Sequence, residues 1–130
     1  MRTLVSLLCA AVLVACSSDG TGSTGTKVTA TGVWSAAFVP GVQVFEPHMQ
    51  LTEGASGAIG GTVTYTGGEG GGAGPQQHGG TVQGTRNGSA VALTWNVTND
   101  PRTFSGTLNG DFLTGSLSNG QGSAQVTFQR

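Results

Sequence analysis

The residues able to do chemistry in this chain are few: two histidines, His48 and His78, two cysteines, Cys9 and Cys16, and six carboxylates. A metal centre needs three or four His, Cys or carboxylate ligands converging on one point, usually announced by their spacing in sequence. His48 follows Glu46-Pro47 and His78 lies in a glycine-rich stretch, neither with a second ligand at metal-site spacing, so both read as solvated loop residues. General acid–base catalysis needs two placed carboxylates held in different environments. Glu46, Glu53, Glu69, Asp100 and Asp111 instead fall beside turn signals, where water satisfies them without a partner. The 11 serines are scattered, and no Gly-x-Ser-x-Gly elbow presents one as a nucleophile. The glycine run at 67–74 lacks the lysine and the following helix that a phosphate cradle requires. The expectation is a protein without catalytic residues, metal or cofactor, and not an enzyme.

Cys16 is the exception, because of what precedes it. Met1 and Arg2 give a basic start, and Leu4 to Val14 form an apolar run of 11 residues broken only by Ser6. Crossing a bilayer takes about 20 apolar residues, so this is a secretory signal and not a membrane span. The sequence Leu13-Val14-Ala15-Cys16 resembles the lipobox of bacterial lipoproteins. The resemblance implies cleavage between Ala15 and Cys16, acylation of Cys16, and a mature chain held on a membrane by covalent lipid such as palmitate. Each buried CH₂ of such chains contributes about 0.8 kcal/mol. It also implies export to the bacterial cell envelope, and Ser17 after the cysteine fits the outer membrane of a Gram-negative cell. Cys9 leaves with residues 1–15 and Cys16 carries lipid, so the mature domain has neither a free thiol nor a disulfide and is stabilised by packing alone.

Without its signal the chain keeps four basic and six acidic side chains, a formal charge of −2. Lys27, Arg86, Arg102 and Arg130 are dispersed, which argues against nucleic acid, whose phosphates need clustered cations. Residues 16–27 contain no large apolar side chain beyond the cysteine itself and read as the lipidated Cys followed by a flexible Gly/Ser/Thr tether. The folded domain is expected over 28–130.

The 24 Gly, 18 Thr and 11 Ser argue against helices, since glycine costs about 1 kcal/mol per interior helical position. From residue 29 onward, apolar residues alternate with hydroxyl residues, the mark of half-buried strands. Val91, Leu93, Trp95 and Val97 share one face; Phe104, Gly106 and Leu108, then Leu113, Gly115 and Leu117, then Ala124, Val126 and Phe128 repeat the pattern. Upstream, Ile59, Gly61, Val63 and Tyr65 form one set, Val82 and Gly84 another, and Trp34, Ala36 and Phe38 a third, with Met49 and Leu51 on a further strand. Asn87-Gly88, Asn109-Gly110 and Asn119-Gly120 separate alternating runs as hairpin turns of type I′. The reading gives about eight short strands, near 29–39, 42–53, 58–66, 80–86, 90–97, 102–109, 111–118 and 122–129, with a long mobile glycine loop over 67–80.

A step of Gly, hydroxyl residue and apolar residue recurs at Gly61-Thr62-Val63, Gly80-Thr81-Val82, Gly106-Thr107-Leu108 and Gly115-Ser116-Leu117. Core-facing glycines let a sheet bend sharply, and an open eight-strand meander would leave two edges and an apolar face in water. The expected fold is all-β, a small antiparallel up-and-down β-barrel, with a two-sheet β-sandwich as the alternative. Gly32-Val33-Trp34 resembles the Gly-x-Trp of the first strand in the calycin barrels, the lipocalins and avidins. That resemblance implies that Trp34 closes the barrel floor beneath a late basic residue, Arg130 or Arg102. The expected function is that of a non-enzymatic, membrane-anchored lipoprotein domain with a structural or envelope-interaction role. The alternative is a lipocalin-like binding module for a small apolar or amphipathic ligand, with Trp34, Tyr65 and Trp95 as ligand-contact or core residues.

Overall fold

The computed structural model describes residues 28–67 and 74–130. The expected signal peptide over 1–15, the expected Ala15–Cys16 cleavage site, the expected tether at 16–27 up to Lys27, and Glu69 lie outside the described residues. Eight strands follow one another: β1 (Gly32–Ser35), β2 (Val44–Glu53), β3 (Ala58–Gly67), β4 (Gln76–Asn87), β5 (Ala90–Val97), β6 (Arg102–Asn109), β7 (Phe112–Ser118) and β8 (Ser123–Gln129). Each pairs antiparallel with the next, and β8 returns to β1 through Ser35 and Gln129, closing the barrel in chain order. No helix among the described residues is long and apolar enough to cross a membrane.

Closure, rather than a flat sandwich, follows from where the glycines stand. Val91, Gly106, Gly115 and Val126 are successive partners across β5 to β8, all on the inner face. A Cβ on Gly106 would strike the Thr114 carbonyl oxygen and come within 2.7 Å of the Gly115 Cα. Neighbouring strands therefore approach on the inside more closely than any side chain permits, which is how an eight-strand sheet coils into a narrow barrel. Gly61, Gly80 and Gly84 act alike, each facing a carbonyl oxygen of the adjacent strand. The inner face is otherwise filled by apolar residues, among them Trp34, Met49, Trp95, Phe104, Leu113, Leu117 and Phe128, all at most 1% exposed.

Four features differ from the sequence reading. First, β1 ends at Ser35, so Phe38 is not a core residue: it is 49% exposed and stacks on Phe45 at 4.4 Å. The chain turns there through Gly41 (φ +88°) and Gln43 (φ +55°), and a bulge between Phe45 and His48 redirects the start of β2. Second, the β3–β4 ladder continues beyond Gly80 to Gly67–Gln76, so His78 stands on a strand, opposite Tyr65, and not in a loop. Third, at the Gly88-Ser89 and Gly110-Asp111 corners only the glycine has positive φ, which marks type II′ turns with Asn87 and Asn109 as the preceding strand residues. Fourth, the carboxylates beside turns do have partners: Glu53 pairs with Arg86, Asp100 with Arg102 and Asp111 with Arg130.

Candidate functional site

The barrel has two unlike ends. At one, the β2–β3, β4–β5 and β6–β7 turns meet Ala30 and Arg130. Trp34 lies across this floor, wholly buried, with its Nε1 donating to the Ala30 carbonyl at 2.8 Å. The Arg130 guanidinium sits 5.0 Å from the Trp34 ring centre and donates to the carbonyls of Thr29 (2.8 Å) and Thr31 (3.0 Å) and to Asp111 (2.9 Å). Gly32, at φ +150°, passes so close beneath that a Cβ would stand 3.2 Å from the Arg130 Cδ. Glu53 completes the closure, accepting from the Ala30 amide at 2.6 Å and from Arg86 at 2.6–2.9 Å. Those contacts hold the Arg86 proton more firmly than usual, the hydrogen bonds to Glu53 being the main cause.

The other end gathers the β1–β2, β5–β6 and β7–β8 connections around a polar clasp. The Tyr65 hydroxyl donates to Asp100, which also accepts from Arg102 Nε (3.0 Å) and Nη2 (2.7 Å). Arg102 Nη1 donates to the Val42 carbonyl at 2.8 Å, and its guanidinium stands 5.1 Å from the Tyr65 ring centre. Arg102 is only 5% exposed, so its charge is offset by Asp100 rather than by water. Burial, then the hydrogen bond to Asp100, pushes the Tyr65 phenol up to about 12. His78 stacks on Tyr65 at 5.1 Å, an addition to this site that the sequence reading placed in solvent. Extending the inner-face alternation of Val82 and Gly84 backward through Gly80 would have reached it.

Between the ends the interior is a column of rings. Tyr65 lies 5.6 Å from Trp95, Trp95 stands edge-on to Phe128 at 6.2 Å, and Phe128 meets Phe104 at 5.8 Å. Of the three aromatic residues singled out from sequence, Tyr65 and Trp95 are thus in contact, while Trp34 belongs to the floor. All three are buried to 2% exposure or less. The Trp95 Nε1 is buried with no acceptor among the described residues.

The outside of the wall is of another kind. Glu53–Arg86 and Asp111–Arg130 lie at the floor, and Asp100–Arg102 at the opposite end. Glu46 stands at the β2 bulge. The outward positions of β3 to β8 carry no charge and are mostly Thr, Ser, Gln and Asn, with Thr114 and Thr127 touching through their hydroxyls at 3.1 Å. Among the described residues, two depressions can be drawn on this surface. One, of about 270 Å³, lies over β1–β3 and is lined by Val33, His48, Gln50, Thr62 and Thr64. The other, of about 280 Å³, lies over β5–β7 and is lined by Thr94, Pro101, Thr103, Ser118 and Asn119 beside Arg102.

The chain is a closed eight-strand antiparallel up-and-down β-barrel in which Trp34 of the first strand lies under Arg130. No protein-family model matches the sequence, and a search of curated proteins finds no match. Among solved structures, the crystal structure of a mutant of the fluorescent protein UnaG is similar, with a TM-score of 0.41 and 11% identity over 77% of this chain and 94% of that one.

Proposed function

We propose that the chain is an exported lipoprotein, anchored to the bacterial cell envelope through Cys16, whose barrel acts through its outer surface in a structural or interaction role and catalyses nothing. The observation carrying this reading is the filled interior. Trp34, Met49, Trp95, Leu113, Leu117 and Phe128 present no surface to a water-sized sphere, so protein surrounds them on every side. An eight-strand barrel is narrow enough for its own side chains to occupy it, and here they do. A second reading, a binding module for a small apolar or amphipathic ligand, draws on the unpartnered Trp95 N–H beside Tyr65. A buried donor without an acceptor costs about 1–3 kcal/mol, which a ligand acceptor would recover.

Two measurements test these readings. Cys16→Ser should shift the protein from the membrane fraction to a soluble or uncleaved pool, and unchanged attachment would refute lipid anchoring. Native mass spectrometry of the mature protein, released in detergent, should show the acylated chain alone. A reproducible small-molecule adduct would replace the surface reading with the ligand-binding one.

A further inference from the structure

The two depressions on the wall are built alike. Val33, Gln50 and Thr62 are successive outward partners across β1, β2 and β3. Thr94, Thr103 and Ser118 are successive outward partners across β5, β6 and β7. Each row therefore crosses three strands, offers hydroxyl or amide groups that both donate and accept, and adds one apolar surface: Val33, which is 59% exposed, in the first and Pro101 in the second.

That chemistry selects its partner. An anionic polymer needs clustered free cations, but the three arginines among the described residues, Arg86, Arg102 and Arg130, are each engaged by a carboxylate. Protein hot spots favour Trp, Tyr and Arg, and the grooves present only the covered edge of one arginine. A neutral sugar ring matches on both counts. Its hydroxyls pair with side chains that are themselves donors and acceptors, its C–H face rests on Val33 or Pro101, and no charge has to leave water, a step that costs several kcal/mol per ion. Each depression suits a ligand smaller than the roughly 300–1,000 Å³ of drug-sized pockets, as one unit of a longer chain would be.

We propose that the outer wall binds an uncharged polysaccharide, with one sugar unit seated over Val33, Gln50 and Thr62 and another over Thr94, Thr103 and Ser118. The grooves are centred on β2 and β6, four strands apart in the closed barrel, so they face opposite ways and one protein can engage two neighbouring polymers, one at each site. The inference rests on the reading that the wall is the working surface. Mass spectrometry and fractionation test that reading separately, so a bare mass without sugar retention removes only the polysaccharide.

The test is co-sedimentation of the detergent-released mature protein with cellulose, chitin and cross-linked dextran, with carboxymethyl-cellulose as the charged counterpart. Retention on at least one neutral polymer is expected, unchanged between roughly 0.05 M and 1 M salt because no ion pair contributes. The double variant Thr62→Lys/Thr94→Lys should lower retention about tenfold or more, equivalent to about 1.4 kcal/mol. Thr107→Lys, outward on β6 and outside both grooves, should leave it unchanged, and near-ultraviolet circular dichroism confirms that each variant is folded. Absence of retention on all three neutral polymers overturns the proposal, as does retention on carboxymethyl-cellulose alone that salt abolishes. An equal loss in Thr107→Lys overturns the assignment to the grooves.

Discussion

Arg130 covers Trp34, its guanidinium 5.0 Å from the indole centre, and so joins the end of the described chain to the first strand across the barrel floor. The closure matters because β1 has only four residues and meets β8 at the single pair Ser35–Gln129. A cation over an indole contributes about 0.5–2 kcal/mol, and the planar fork of arginine lets Nη1 serve the Thr29 and Thr31 carbonyls while Nε and Nη2 reach Asp111 and the Gly110 carbonyl. The exposed pair with Asp111, whose side chain is 68% accessible, adds little. Arg130→Ala should therefore cost about 2 kcal/mol, and Arg130→Lys should recover less than half of that. Urea unfolding followed by tryptophan fluorescence measures both, and a loss below about 0.5 kcal/mol in the alanine variant would mean that Trp34 holds the floor unaided.

Tyr65 is the only tyrosine, so its titration can be followed by near-ultraviolet absorbance without interference. Burial and the hydrogen bond to Asp100 raise its phenol from 10.0 to about 12 in the folded protein. The unfolded chain loses this proton first, so between those two values the unfolded state binds fewer protons and stability falls as pH rises. Below pH 10.0 the contribution is fully present, and it is lost by about 12. Midpoint unfolding temperature should decline across that window in the native chain and decline less in Tyr65→Phe. A phenol titrating at its ordinary value in the folded protein would contradict the clasp geometry.

Period-two alternation makes the eight strands legible because a narrow barrel has a single apolar side, and the apolar inward residues of β5 to β8 are readable from neighbours two positions away, whereas the inward Arg102 of β6 breaks the apolar pattern and is not. The same local logic fails where a strand stops. Nothing in Trp34-Ser35-Ala36-Ala37-Phe38 announces that β1 ends at Ser35, because the reversal is enforced by the positive φ of Gly41 and Gln43 further on. His78 was hidden by its glycine neighbours, since its partner Tyr65 is reached only through the completed ladder. The ion pairs were hidden for a similar reason: Glu53 and Arg86 are 33 residues apart, and only barrel closure brings them together. The grooves depend on cross-strand register, which a single strand's sequence does not contain.

Trp95 ties the column of rings together, touching Tyr65 on one side and Phe128 on the other. Trp95→Ala should cost about 3–5 kcal/mol, the range for truncating a fully buried aromatic residue. Trp95→Phe should be far milder, because it keeps a ring in the column and removes an indole N–H that has no acceptor among the described residues. Chemical denaturation of the two variants separates these effects. A loss below about 1 kcal/mol for the alanine variant would show that β5 does not face the core.

Inward and outward glycines should respond to the same substitution with opposite signs. At Gly106 an added methyl group meets the Thr114 carbonyl oxygen, the Phe104 Cζ at 2.6 Å and the Gly115 Cα at 2.7 Å. Phe104 could rotate away, but the backbone atoms of β7 cannot move without opening the wall, so Gly106→Ala should cost at least the roughly 1–3 kcal/mol of an overpacked core. Gly115→Ala presses the same contact from the opposite strand, 2.5 Å from the Gly106 Cα, so the double variant should relax no further than the worse single one. Gly60, on the outer side of β3, has nothing within 4 Å of the place a methyl group would take and no positive φ. Gly60→Ala should be neutral or stabilise by about 0.4–1 kcal/mol, through the reduced freedom of the unfolded chain. Thermal unfolding of the three single variants decides the matter: equal, small effects at all three positions would mean that close inner approach of the strands is not what closes this barrel.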